Sequence, residues 1–163
     1  MSATLYVWKM SPSNVGHVSL QVGTVYMSYW PNEAAGKNDV KLGASHEAMF
    51  PRSYTIDRRL ERKACDEQLE LKKIDTARVL DAWAAFTSTP ERYNLIDHNC
   101  STVVASLLRA GSSREPSFMP GVLIDTYAQN WMQRMMFRIR FFSKRIRMWT
   151  PDDVLRYALE IES

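Results

Sequence analysis

Apolar and polar positions alternate with a period of two through the N-terminal part of the chain. LYVWKM (5–10) has the aromatic and β-branched content of a strand. HVSLQVG (17–23) sets Val18, Leu20 and Val22 against His17, Ser19 and Gln21, and TVYMSYW (24–30) alternates again. Gly23 between the two runs predicts a tight hairpin, and Pro31 ends the second run. SYTIDRRLE (53–61) reads as a third strand and QLELKKI (68–74) as a fourth. The period then changes. DTARVLDAWAAF (75–86) repeats apolar residues at helical spacing, with Ala77, Leu80, Trp83 and Ala84 on one face. Val103, Val104, Leu107 and Leu108 form i,i+4 pairs in a second helix, with Asn99 as N-cap and Gly111 as the stop. A last helix is expected from Thr150-Pro151, an N-cap followed by proline at the first helical position. Residues 31–51 and 111–121 read as loops. Strands first and helices afterwards predict an α+β fold, and 163 residues fit a single domain, 1–163.

Composition adds limits. The chain is 45% hydrophobic and 24% charged, as in globular proteins. Cys65 and Cys100 are too few for a disulfide framework, which suggests a reducing compartment. The N-terminus lacks the basic and apolar regions of a secretory signal, so the expected location is the cytoplasm, or a host cell reached without a classical signal, with peripheral membrane association. The net charge of +3 conceals a local excess. Arg134, Arg138, Arg140, Lys144, Arg145 and Arg147 fall between Asp125 and Asp152 with no acidic residue among them, which leaves −3 for the rest. Such an imbalance points to an anionic partner or surface.

The candidate chemistry begins at YNLIDHNCSTVVASLLRAG (93–111). With Asn99 as N-cap, Cys100 opens the helix, where unpaired N–H groups and the helix dipole favour a thiolate. A buried structural cysteine is the competing reading. A nucleophilic cysteine needs an imidazole base and a group to orient it. His98 would point away from the first helical position, and His46 sits in a loop with no apolar frame. His17 opens a strand that fixes its direction, and Asp57 ends a neighbouring strand within reach of it. The alternative makes His17 a solvated strand residue and Asp57 a partner of Arg58 or Arg59.

The set GHVSLQVG…YMSYWP (16–31), YTID, YNLIDHNCSTVVASLL (93–108) and MWTPDDVLRYALE (148–160) resembles the permuted papain-like cysteine enzymes of the NlpC-type superfamily. The resemblance is greatest to the Rho-inactivation-domain fatty acyltransferases of bacterial toxins and effectors, and lecithin–retinol acyltransferase shares the order of histidine before cysteine. It implies a permuted papain-like fold, with an antiparallel sheet carrying His17 and Asp57 and helices following. Cys100 is then the nucleophile, His17 the base and Asp57 the acidic member, for which Asp39, Asp66 and Asp75 compete. Asn99, Ser101 and Trp30 become oxyanion or substrate candidates, Trp30 as a wall of the cleft.

The implied reaction is acyl transfer through a thioester. Resolution by water gives a peptidase or amidase, ammonia release from a side-chain amide gives a deamidase, and a lysine amine gives an N-ε-fatty acyltransferase. By analogy with the toxins the last is preferred, with fatty acyl-coenzyme A as co-substrate, lysines of host small GTPases as target and no bound cofactor. WMQRMMFRIRFFSKRIRMW (131–149) combines apolar stripes with six cations suited to anionic lipid, an acyl chain or coenzyme A phosphates. A nucleic-acid-binding module would explain that charge but gives Cys100, His17 and Asp57 no role, so no nucleic acid is expected. A metal site from His98 and Cys100 with His46 or Cys65 lacks a recognised spacing.

Overall fold

The structure, a computed structural model, describes residues 2–11, 14–32, 44–123 and 147–163. Four strands form the main sheet: β1 (Ala3–Trp8), β2 (His17–Val22), β3 (Val25–Met27) and, later in the chain, β6 (Glu67–Leu71). Their order is β3-β2-β1-β6, antiparallel throughout. Two small ladders join β4 (Trp30–Pro31) to β5 (Ala48–Met49), and β7 (Val122–Leu123) to β8 (Arg147–Met148). The described helices are α1 (Tyr54–Glu61), α2 (Thr76–Ser88), α3 (Cys100–Ser112) and α4 (Pro151–Glu162). The α+β architecture with an antiparallel sheet therefore stands.

Register follows from the alternation. Val7 faces Val18, Leu5 faces Leu20 and Ala3 faces Val22, so one face of the sheet is apolar. That face forms a single core with Val103, Val104, Leu107 and Leu108 of α3 and Val154, Ala158 and Ile161 of α4. The opposite face pairs Trp8 with His17 and Tyr6 with Ser19. It is covered by α1, whose Tyr54 ring lies 4.9 Å from Tyr6 and 5.7 Å from Trp8. Both sheet faces are thus buried at the His17 end, and His17 is not solvated.

The expected third strand is the main correction. Residues 54–61 form helix α1, capped by Ser53, whose side chain accepts from the Ile56 N–H. The helix escaped detection because the pattern of its faces is inverted. Its buried positions are Asp57 and Glu61, whereas Ile56 and Leu60 are exposed. Hydrophobic periodicity has no means of recognising a helix whose inner face is acidic. Asp57 consequently reaches the site from a helix and not from the sheet. Smaller differences concern ends. Pro31 continues in β4 instead of closing the run, and α3 passes Gly111 to a C-cap at Ser113 with φ +53°. The caps at Asn99 and Thr150 are where the sequence places them, the latter as a full capping box with Asp153, and Asp75, expected as the first residue of its helix, is the N-cap of α2.

Candidate active site

Helix α3 packs across β2, with Cys100 the first residue of the helix and His17 the first of the strand. Cys100 is 5% exposed and His17 is fully buried. Asn99 fixes the start of α3, accepting from the Thr102 N–H at 2.9 Å. The loop before it is held by Asn94, whose Oδ1 accepts from the Ile96 N–H at 2.9 Å, and by the paired backbones of Tyr93 and His46. On the other side, Gly16 adopts φ +75°, and a Cβ there would lie 2.6 Å from the Trp8 carbonyl oxygen. Only glycine lets the chain enter β2 at this close approach to β1.

His17 Nε2 lies 3.0 Å from Asp57 Oδ2. Asp57, fully buried on α1, also accepts from Tyr26 Oη at 2.7 Å, Ser28 Oγ at 2.9 Å and Trp30 Nε1 at 2.9 Å. Ser19 Oγ and Tyr26 Oη are 2.6 Å apart, which extends the network along β2. A carboxylate with this many donors is stabilised as the anion. Burial works against its charge, but the charge and hydrogen bond of His17, with Tyr26 and Ser28, hold its pKa below the ordinary value. For His17, burial opposes protonation, yet Asp57 and then Cys100 outweigh it, and the imidazole pKa is raised above 6.5.

The network also fixes the tautomer. A carboxylate acceptor at Nε2 requires the proton there, which leaves the Nδ1 lone pair free to face a thiol. Nδ1 is buried and has no hydrogen-bond partner among the described residues. The Cys100 sulfur acts on the same ring through its charge, favouring protonation after Asp57 does. Sulfur, imidazole and carboxylate are therefore in sequence: Cys100 at the helix N-terminus, His17 on β2, Asp57 on α1.

The other sequence candidates divide. Ser101 is buried, with Oγ 4.0 Å from Cys100 Sγ. Asn99 is committed elsewhere as an amide donor: its Nδ2 hydrogens go to the carbonyl oxygens of Leu95 at 2.9 Å and Trp149 at 3.2 Å. It holds the helix start with both amide hydrogens engaged. Trp30 is 3% exposed and donates its Nε1 hydrogen to Asp57 Oδ1 at 2.9 Å, so it helps hold the carboxylate. Asp66 accepts from Lys63 and the Lys9 N–H, and Asp75 caps α2, so neither competes with Asp57. Asp39 lies outside the described residues. His98 Nδ1 pairs with Glu91 at 2.7 Å on the surface. Arg147 is exposed on β8, whereas Arg134, Arg138, Arg140, Lys144 and Arg145 lie outside the described residues.

Tyr26 and Ser28 were not singled out from sequence as partners of Asp57. The signal was present in TVYMSYW, where Tyr26, Ser28 and Trp30 fall at every second position and so share one face. Met27 and Tyr29, in the alternate positions, join the apolar core.

Residues 27–130 match the family model described as the Lnb N-terminal periplasmic domain. The chain belongs to that family. The match takes in Ser28, Trp30, Asp57 and Cys100 and starts beyond His17. A comparison with curated proteins finds no match. The family corrects the expected location: a periplasmic domain replaces the cytoplasmic or host-cell protein inferred from cysteine count and N-terminus. Cys65 and Cys100 do not form a disulfide, so their number carried no information about the compartment. No described helix is long and apolar enough to cross a membrane.

Proposed function

We propose that this Lnb N-terminal domain is a thiol-dependent acyl-transfer enzyme of permuted papain-like design, working through a thioester on Cys100. One observation carries the reading. The His17 ring has its Nε2 bound by a buried carboxylate and its Nδ1 left for a cysteine at the first position of a helix. A purely structural cysteine needs neither an oriented imidazole nor a four-donor carboxylate behind it. The order of histidine, aspartate and helix-opening cysteine, with the sheet preceding the nucleophile helix, supports the permuted arrangement.

In this mechanism the Cys100 proton passes to His17 Nδ1, and Asp57 balances the imidazolium that forms. The thiolate attacks a carbonyl carbon, and the Cys100 N–H at the helix terminus faces the developing oxyanion. Collapse breaks the bond to the leaving amine or alcohol, which takes the proton from His17, and leaves a thioester. His17 then removes a proton from the second nucleophile, water or an amine, whose attack releases the acyl product and regenerates the thiolate. A periplasmic setting separates the site from cytosolic acyl-coenzyme A and small GTPases. The carbonyl is therefore assigned to an ester or amide of that compartment, with hydrolysis and transfer to an amine as the two outcomes.

Intact-mass spectrometry after incubation with p-nitrophenyl butyrate tests this. The expected result is a single butyryl adduct on Cys100, removed by hydroxylamine and absent from Cys100→Ala. His17→Ala should form it more slowly by about 10²–10⁴-fold near neutral pH. Acylation of Cys65 and Cys100 at equal rates, unchanged by His17→Ala, would refute the proposal. Adding a primary amine to the acyl-enzyme then separates a transferase from a hydrolase by whether amide or butyrate is produced.

A further inference from the structure

The outer face of α1 carries a surface that this chemistry does not use. With Asp57 and Glu61 turned inward, Ile56 and Leu60 are left 39% and 40% exposed. A helix covering a sheet ordinarily presents the reverse arrangement. Beside these two side chains Arg58, Arg59 and Arg62 are exposed, and with Thr55 and Lys63 they line a surface depression of about 460 Å³. Lys63 is neutralised by Asp66 at 2.7 Å. None of the three guanidinium groups forms an ion pair with a described residue. Of the other exposed cations, Lys9, Arg78, Arg109 and Arg156 have carboxylate partners, while Arg52 and Lys73 have none among the described residues.

We infer that this face docks on an anionic phospholipid bilayer. Guanidinium groups pair well with phosphate oxygens, and these three, on α1 and its C-cap, have no such counter-charge among the described residues. Ile56 and Leu60, one helical turn apart, decide between kinds of anion. A soluble phosphate or a nucleic acid leaves them in water, whereas a bilayer interface takes apolar side chains between the headgroups. The two features are complementary to that one partner. The consequence for the site is distance. Asp57 lies on the inner face of the same helix, so docking places the His17 site about one helix diameter, roughly 10–12 Å, from the headgroups. The inference does not depend on Cys100 being a nucleophile.

Vesicle co-sedimentation of the whole chain tests it, comparing phosphatidylcholine vesicles with vesicles containing about 30% phosphatidylglycerol. The expected result is binding at least about tenfold tighter to the anionic vesicles, weakened by added salt. Arg58→Gln/Arg59→Gln/Arg62→Gln should lose most of that preference while keeping the wild-type circular dichroism spectrum. Ile56→Ser/Leu60→Ser should bind several-fold more weakly without altering the salt dependence. The matched variant Arg138→Gln/Arg140→Gln/Arg145→Gln measures the contribution of the second basic run. Equal binding to both vesicle types overturns the inference, as does full retention of binding by the folded α1 variant. Binding that is lost in the α1 arginine variant but indifferent to Ile56→Ser/Leu60→Ser also overturns it, in favour of a soluble polyanion.

Discussion

Tyr26 donates its hydroxyl hydrogen to Asp57 Oδ2 at 2.7 Å, onto the same oxygen that lies 3.0 Å from His17 Nε2. The carboxylate beside His17 is thus itself oriented, from a strand adjacent to the one that carries His17. Tyr26→Phe keeps the ring and removes that donor. It also takes away the partner of the buried Ser19 hydroxyl, at a cost of about 1–3 kcal/mol in stability. The carboxyl pKa, held down in the folded protein, should move up. A depressed carboxyl contributes stability above its unfolded value of about 3.9, and this is lost as pH falls through the folded value. Acid unfolding of Tyr26→Phe, followed by tryptophan fluorescence, should therefore begin at a higher pH than in wild type. An unchanged acid midpoint would mean that the hydroxyl does not act on Asp57.

His17 gives the opposite dependence. Its pKa is raised above 6.5 against the effect of burial, by Asp57 first and Cys100 next. A raised base contributes stability that is complete below 6.5 and disappears as pH climbs through the folded value. The melting temperature should decline on the alkaline side of that window. Cys100→Ser removes one of the groups that favour the imidazolium, so its decline should start at lower pH. His17→Asn should show no such step. Melting curves of the three proteins between about pH 5 and pH 9 check this, and identical alkaline limbs would contradict the coupling.

Asn99 joins Cys100, the first residue of α3, to the rest of the molecule. Its Oδ1 caps α3, and its Nδ2 holds the Leu95 and Trp149 carbonyl groups. Asn99→Ala should cost about 1–2 kcal/mol for the cap alone. The two carbonyl groups left short of a donor add to that. Asn99→Asp preserves the cap and loses only the amide hydrogens, so it should fall between Asn99→Ala and wild type in denaturant midpoint. An aspartate variant no better than the alanine one would place the main effect on the Trp149 side.

Much of this arrangement was legible because it rests on local rules. Alternation gave β1 and β2 and their apolar face, helical spacing gave α2, and side-chain caps gave α3 and α4 with Cys100 at a helix start. His17 stood out as the one histidine on a rigid strand, and the structure sets it against Asp57. Helix α1 did not follow, since burial there is driven by Asp57 and its hydrogen bonds, which hydropathy does not register. Tyr26 was hidden for a related reason. A tyrosine in an alternating strand looks like packing until the position of the carboxylate on another element is known. Location was misread because two thiols that do not pair with each other are compatible with either compartment.

Gly16 sets the direction from which His17 enters the sheet, and it offers a test of the site through the backbone alone. Its φ of +75° disfavours any side chain, and a Cβ would meet the Trp8 carbonyl oxygen at 2.6 Å and Pro151 at 2.9 Å. The proline ring, at the first turn of α4, has little freedom to withdraw, and the carbonyl belongs to β1. Relief must come from the Gly16 backbone, which carries the first residue of β2 with it. Gly16→Ala should therefore destabilise the fold by about 1–3 kcal/mol. It should also slow iodoacetamide labelling of Cys100 by more than the loss of stability accounts for, because Nδ1 of His17 no longer lies where the sulfur needs it. Gly23→Ala is the control: that residue too has positive φ, +56°, but it sits in the hairpin between β2 and β3. It should lower the melting temperature while leaving the labelling rate of the folded protein close to that of wild type. If both variants label Cys100 at the same rate, the close approach at Gly16 has no bearing on the thiol.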